Sequence, residues 1–145
     1  MRLNRAEKSS RKIARENRAE KHSAEKRDLM KTKIRITLMT DEKERFYGPG
    51  VQDLLSGIRE QGSVKDACAA MALSYSKGRR ILKHAEAVLG YQLVKRQQGG
   101  VTGGSAQLTA QAEIFMQQYQ SLTDSVNAHA QKLLEEIFPS QPGAG

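Results

Sequence analysis

The chain has 145 residues and a formal net charge of +8 at pH 7. Because 38% of the residues are hydrophobic, the chain can form one modest core plus an appendage, and its length excludes a second large domain. Its single cysteine, Cys68, excludes an internal disulfide and a cysteine-based zinc cluster, as is typical of a reducing cytoplasm. No apolar run approaches the roughly 18 residues of a membrane-spanning helix, so we expect a cytoplasmic protein with no membrane partner.

The positive charge is concentrated at the N-terminus. Residues 1–33 hold 12 Lys+Arg against 5 Asp+Glu, or +7, which leaves 12 against 11, or +1, for residues 34–145. Residues 1–29 have too few large aliphatic side chains to bury a face, so we expect a basic flexible leader. The alternative is an arm that follows DNA by releasing counterions from phosphates. The run from Met30 also resembles a natural chain start, which leaves open whether the leader belongs to the native protein.

The first part of the predicted domain contains a strand and a helix. Ile34, Ile36 and Leu38 alternate with other side chains, which predicts a short half-buried strand over 33–39. The segment DEKERFYGPG that follows indicates a charged connector closed by turn residues. A helix is expected next, ended by Gly62, because apolar residues stand at helical spacing at positions 51, 54, 55 and 58.

Two helices joined by a tight turn are predicted after Gly62. Ser63, with Asp66 three residues later, resembles a capping box, and ALS at 72–74 is the turn. Ser74 caps the second helix and Gly90 ends it. The first helix has a narrow small-residue face, made of Val64, Ala67, Cys68 and Met71. The second has a core face, made of Ile81, Leu82, Ala85, Val88 and Leu89.

The opposite side of the second helix carries short hydroxyls and cations. At 100° per residue, Arg80 and Lys83 fall within about 40° of Ser76, with Lys77 at the flank. A DNA recognition helix needs this combination, because its backbone enters the major groove and its cations reach guanine or phosphate. The alternative is the solvated side of an ordinary surface helix. Tyr75 lies at the edge of the core face, where packing is expected, with a hydroxyl able to reach a phosphate.

A two-stranded wing is predicted directly after the recognition helix. YQLVKRQ indicates a strand, GGVTGG a glycine-rich loop, and residues 106–108 a return strand. Lys95 and Arg96 can neutralise phosphate, while Gln97 and Gln98 can hydrogen-bond to sugar or minor-groove acceptors. The glycines are also compatible with plain turn chemistry or a phosphate nest. No helix with a GK[ST] start follows them, which disfavours a phosphate loop.

The last predicted helix is longer than a domain of this size needs. Thr109 caps it, and an apolar stripe continues from Ala112 to Ile137, which favours a partner helix and hence dimerisation. Residues 139–145 are expected to form a flexible tail. The predicted fold is mainly α with a small β wing: a winged helix-turn-helix over 30–138 with a long C-terminal dimerisation helix, 109–138.

Catalysis has little support in the sequence. His22, His84 and His129 are far apart, and Cys68 falls on the buried face of its helix. We therefore expect no enzyme activity, no catalytic or metal-binding residues and no cofactor.

The segment GSVKDACAAMALSYSKGRRILKHAEAVLGYQLVKRQQGGVTGGSAQLT resembles the N-terminal DNA-binding domain of ModE-type molybdate-responsive regulators, which are close to the LysR family of winged-helix regulators. The SYSK start and the glycine-rich wing before LT are the most specific parts. The resemblance implies a homodimer held by the first and last helices, with the recognition helix in the major groove. It also links the protein to molybdate or metal-oxyanion transport.

Three positions depart from the family pattern. Ala72 stands where the family usually has glycine with a left-handed backbone, and Arg79 stands where it commonly has tryptophan. AQA follows Thr109 where the family often has PEG. The C-terminal molybdate-binding domain of full-length family members has no counterpart in these residues, so molybdate sensing, or any effector, stays open.

The sequence therefore predicts a homodimeric, sequence-specific regulator of transcription that binds double-stranded DNA. The alternatives are a protein-interaction adaptor and a non-specific nucleic-acid-binding protein of the nucleoid or of RNA. The predicted DNA-binding residues lie on the recognition helix, its cap and the wing: Ser74, Tyr75, Ser76, Lys77, Arg79, Arg80, Lys83, Lys95, Arg96, Gln97, Gln98 and Thr102. The predicted dimerisation residues are apolar or aromatic and lie on the first and last helices: Val51, Leu54, Phe115, Tyr119, Leu122, Val126, Leu133 and Ile137.

Overall fold

The computed structural model describes residues 30–97 and 105–139. The chain divides into two compact units, Ile34–Val126 and a second unit whose described residues are 30–33 and 127–139. The boundaries expected at residues 30 and 138 stay predictions, and the leader and the tail beyond Pro139 lie outside the described residues.

The described elements follow one another in the order of a winged helix-turn-helix. They are β1 (Leu38–Met39), β2 (Arg45–Tyr47), α1 (Pro49–Gln61), α2 (Val64–Ala70), α3 (Tyr75–Leu89), β3 (Val94–Gln97), β4 (Ser105–Leu108) and α4 (Ala110–Ile137). β1 pairs with β2 and β3 with β4, each pair antiparallel. The mainly α fold with a small β wing is thus confirmed.

The first hairpin differs from the sequence prediction. The strand expected over 33–39 is only Leu38–Met39, and it pairs with Arg45–Tyr47 inside the segment expected to be a connector. Its turn is closed by the Thr40 amide donating to the Glu44 carbonyl at 2.9 Å. The pairing depends on burial of Tyr47, which is 1% exposed and packs on residues far along the chain.

The predicted helix ends of the helix-turn-helix are confirmed by hydrogen bonds. The Ser63 hydroxyl accepts from the Asp66 amide at 3.1 Å, and the Ser74 hydroxyl accepts from the Lys77 amide at 3.1 Å. Gly62 and Gly90 end their helices in the left-handed conformation, with φ of 70° and 83°. These local signals fix where α3 begins and ends.

The turn between α2 and α3 carries a strained residue. Ala72 has φ of 54°, the left-handed conformation expected at the position where the ModE-type pattern has glycine. A β-carbon in this conformation costs about 1 kcal/mol or more. The turn is held by the Leu73 amide, which donates to the Cys68 carbonyl at 2.9 Å.

The helix-turn-helix, β2 and the start of α4 share one core in the unit Ile34–Val126. Tyr47 packs edge-on against Phe115 and Tyr119, with ring centroids 4.6 and 5.0 Å apart, and burial raises the pKa of Tyr47. The Tyr119 hydroxyl donates to the Ile36 carbonyl at 2.6 Å. The fully buried large side chains are Tyr47, Leu54, Leu55, Ile58, Leu93 and Cys68. In α2, Val64, Ala67 and Cys68 are buried as predicted, whereas Met71 is 37% exposed.

The apolar stripe of α4 is packed only at its start. Ala112, Met116 and Tyr119 are buried, whereas Leu122 is 42% exposed. In the second unit the Thr32 amide donates to the Gln131 side chain at 3.1 Å. Leu133 and Ile137 there are 39% and 65% exposed, and no described helix is long and apolar enough to cross a membrane.

Candidate nucleic-acid interface

The outer face of α3 is polar and open. Ser76, Lys77, Arg80 and Lys83 are all exposed, which places the predicted cationic side of the helix outward. The inner face is buried at Leu82 and Ala85 and half-buried at Ile81, Val88 and Leu89. The helix therefore presents four predicted DNA-binding side chains on one accessible surface.

A glycine that the sequence did not single out sets how closely α3 packs on α2. Gly78 is buried, and a β-carbon built on it would lie 2.3 Å from the Cys68 Sγ atom. No side chain larger than hydrogen fits there without movement. Cys68 itself is 1% exposed, and burial raises the pKa of its thiol, which opposes the reactive thiolate form.

The wing hairpin has an inner and an outer side. Val94 pairs with Leu108 and Arg96 with Ala106; Val94 and Ala106 are buried. Lys95, Arg96 and Gln97 are exposed. Because alternate strand residues share a face, Arg96 lies on the same side as Val94 and faces back toward the helices. Gln98 and Thr102 lie outside the described residues.

A carboxylate of α3 anchors the start of the wing. Glu86 Oε2 accepts from the Leu93 amide at 2.7 Å and, more weakly, from the Val94 amide at 3.4 Å. From the other side, the Ala106 amide of β4 donates to the Gly62 carbonyl at 2.8 Å. The wing is thus attached to both the recognition helix and the end of α1.

Tyr75 joins the recognition helix to the wing. Arg96 Nη1 donates to the Tyr75 hydroxyl at 3.1 Å, and the Arg96 guanidinium carbon lies 5.8 Å from the ring centroid. The guanidinium carbon of Arg79 lies 5.7 Å from the same centroid. Tyr75 is 40% exposed, so it bridges two arginines instead of packing in the core as expected. The spacing of Tyr75 and Arg79 could have indicated their contact; the contact with Arg96 had no local signal.

A basic groove of about 450 Å³ runs between α3 and the wing; we call it the helix-wing groove. Arg79 and Lys83 line it from the helix, and Lys95 and Arg96 from the hairpin. Glu86 is the one carboxylate among the described lining residues. The Nε atom of Arg79 is buried and has no hydrogen-bond partner in the described part of the chain.

The predicted dimerisation residues fall into two groups. Val51, Leu54 and Tyr119 are buried in the core of their own chain, so their side chains do not offer a surface to a partner. Phe115 and Val126 are half-buried, and Leu122, Leu133 and Ile137 are exposed.

His84 has a structural contact, and the described residues contain no cluster of metal ligands. His84 Nε2 lies 3.1 Å from the Arg45 carbonyl and 3.3 Å from Glu44 Oε1, so it connects α3 to the first hairpin. Over residues 30–97 and 105–139, no three His, Cys, Asp or Glu side chains come together as metal ligands would.

No protein-family model and no curated protein matches the chain. Among solved structures, it is similar to the crystal structure of the CbnR_DBD-DNA complex, with 18% sequence identity and a TM-score of 0.47. The match covers 61% of this chain and 95% of that chain. The assignment as a winged helix-turn-helix rests on the order, pairing and packing of the elements described above.

Proposed function

We propose that the protein is a transcriptional regulator that binds double-stranded DNA in a sequence-specific manner. The observation that carries this proposal is the exposed face of α3, where Ser76, Lys77, Arg80 and Lys83 stand beside a basic wing hairpin. A helix with small polar residues at its start and cations on one side fits the major groove of B-DNA. The Lys95 side chain then contacts phosphate on the adjacent groove.

Within this proposal the residues have different tasks. Arg80 projects from the outer face of α3 and donates to guanine, because an arginine can form two hydrogen bonds with O6 and N7 of that base. Lys77 and Lys83 contact the flanking phosphates, and Ser74 and Ser76 leave room for the backbone to enter the groove.

We further propose that the regulator is a homodimer joined through α4. On a helical wheel, Leu122, Val126, Leu133 and Ile137 fall within about 60° of one another, on the stripe that begins at the buried Tyr119. A dimer would contact two half-sites about one helical turn apart in a pseudo-palindromic operator. Sedimentation of Leu122→Glu should show monomers at concentrations where the parent chain is dimeric. Ala128→Glu, about 120° away on the same helix, is the matched control and should stay dimeric.

The ModE-type resemblance supports the finer proposal that the regulator is linked to molybdate or metal-oxyanion transport. Calorimetry with molybdate against sulfate tests this finer proposal directly. Saturable binding of molybdate alone supports it, and equal weak signals from both anions contradict it.

The main proposal is tested by selection from random duplex DNA followed by a salt series on the recovered sequence. If the protein is a regulator, the selection should yield one preferred sequence, and deletion of residues 1–29 should leave that preference unchanged. If the protein instead coats the nucleoid or binds RNA, deletion of the leader should abolish binding, because the leader holds most of the positive charge. A protein-interaction adaptor shows no salt-dependent binding to duplex DNA at all.

A further inference from the structure

The charges of the helix-wing groove are not balanced by the protein itself. Four cations line the groove, Arg79, Lys83, Lys95 and Arg96, against Glu86 alone. Glu86 Oε2 already accepts from the backbone amides of Leu93 and Val94. Among the described residues, none of the four cations takes part in an ion pair. The groove therefore offers positive charge to an external anion.

The two arginines are held by one side chain. Arg79 comes from α3 and Arg96 from β3, and both guanidinium groups lie against the Tyr75 ring, at 5.7 and 5.8 Å. The Tyr75 hydroxyl also accepts a hydrogen bond from Arg96. Two like charges gathered at one ring repel each other, and the negative face of the ring offsets this only in part. An anion that both guanidinium groups contact would offset their positive charge.

The shape of the groove favours a chain of phosphates over a small enclosed ligand. Cations stand on both walls, and Lys83 on one side and Lys95 on the other are exposed to solvent. The wall formed by α3 continues into the outer face that carries Arg80. A recognition helix in the major groove and a wing in the next groove have one sugar-phosphate strand between them.

We propose that the helix-wing groove holds one sugar-phosphate strand of the bound duplex, and that Tyr75 is the positioning residue that directs Arg79 and Arg96 onto the same phosphate or onto adjacent phosphates. This rests on the proposed function, because it assigns a partner to the same surface. Tyr75 acts without contacting a base, by holding a guanidinium from the helix and one from the wing in a fixed relation.

The test measures binding to the selected duplex with single phosphates replaced, one at a time, by neutral methylphosphonates. In the parent protein, neutralising one phosphate or two adjacent ones in each half-site should lower affinity. A single shared phosphate should lose its effect in both Arg79→Ala and Arg96→Ala. If two adjacent phosphates are contacted, each variant should lose the effect of one of them. Tyr75→Leu removes no charge, yet it should weaken the effect at these positions and lower the salt slope by about one unit, since each neutralised phosphate contributes about 0.9.

Tyr75→Phe separates the two interactions of the ring. It keeps the aromatic face for Arg79 but removes the hydroxyl that accepts from Arg96. A phosphate effect that is lost in Arg96→Ala should shrink, whereas one that is lost only in Arg79→Ala should be retained. Tyr91→Leu is the matched control: Tyr91 is half-buried, and both described arginine–ring contacts are to Tyr75, so the salt slope and the phosphate pattern should not change. Thermal unfolding of each variant checks folding, and Tyr75→Phe provides the test if Tyr75→Leu does not fold.

Several results would overturn the inference. One is that Tyr75→Leu, or Tyr75→Phe in its place, keeps the parent slope and phosphate pattern. Another is that Arg79 and Arg96 depend on phosphates of different strands. Calorimetry with inorganic phosphate provides a separate arm: tight binding that depends on Tyr75, without any phosphate effect in the duplex, would identify a small-anion site instead. Failure of the proposed function looks different, because the parent protein itself would then show no salt-dependent duplex binding.

Discussion

The Sγ atom of Cys68 lies 2.3 Å from the place where a β-carbon on Gly78 would be. This pair lies where the two helices of the helix-turn-helix pack together, and the absence of a side chain at position 78 allows α3 to lie nearer to α2 than any other residue would permit. The orientation of the recognition helix therefore depends on one missing methyl group.

Gly78→Ala should destabilise the protein by about 1–2 kcal/mol, because overpacking of the core outweighs the better helix propensity of alanine. Cys68 is 1% exposed, so its sulfur can move only by displacing core atoms. Urea unfolding measures the change. The double variant Gly78→Ala/Cys68→Ala should be more stable than Gly78→Ala alone, since the clash is removed. Gly50→Ala is the control, because a β-carbon there meets nothing within 4 Å; additive effects of the two core substitutions would contradict the argument.

Ala72→Gly should stabilise the protein by up to about 1 kcal/mol, because glycine adopts the φ of 54° without the penalty of a β-carbon. The net gain in free energy of unfolding is smaller than the strain relieved, because glycine loses more backbone entropy on folding than alanine does. Thermal unfolding measures it. Ala69→Gly, an exposed position inside α2, is the matched control and should destabilise by about 0.5–1 kcal/mol. Destabilisation by both substitutions would show that the turn is not strained.

Arg80→Ala should lower affinity for the selected duplex by about 1–3 kcal/mol and relax the base preference at one position. Lys95→Ala should instead weaken binding to all duplexes alike and lower the salt slope by about one unit, because a lysine on phosphate carries no sequence information. Titrations on the selected and on a scrambled duplex measure both. Equal losses on the two duplexes for Arg80→Ala would count against base reading.

Glu86→Ala should loosen the start of the wing, because the partly buried amide of Leu93 loses its acceptor at 2.7 Å, at a cost of about 1–3 kcal/mol. Amide hydrogen exchange at Leu93 and Val94 should become faster, while exchange in α1 changes only with global stability. Glu86→Gln keeps a carbonyl acceptor and should show a smaller effect. Unchanged exchange at Leu93 in Glu86→Ala would show that the wing is anchored by other contacts.

Features with short-range causes could be predicted from the sequence. Ser63 and Ser74 cap the helices that follow them, Gly62 and Gly90 end helices, and the apolar spacing of α3 identified its buried and exposed sides. The predicted cationic side faces outward because helical periodicity is a local property.

Features that depend on contacts between distant residues could not be predicted. Strand β2 forms because Tyr47 packs against Phe115 and Tyr119 of a helix some 70 residues later. Gly78 is buried against Cys68, and Tyr75 is held by a hydrogen bond from Arg96. No sequence pattern indicates either of these two contacts. The stripe of α4 was uniform in sequence, yet only its first part meets a core.

The contact between Glu86 and the start of the wing has a consequence for how a regulator with this fold could change its DNA target sequence. The carboxylate lies on the same helix that carries Arg80, and it holds the first residues of β3 through their backbone amides. The start of β3 is therefore tied to α3 through its main-chain amides and the Glu86 carboxylate, a contact that does not involve the exposed side chains of Ser76, Lys77 or Arg80. If the proposed function holds, exchange of outward side chains can change the target sequence one base pair at a time while this anchor of the wing is inherited unchanged.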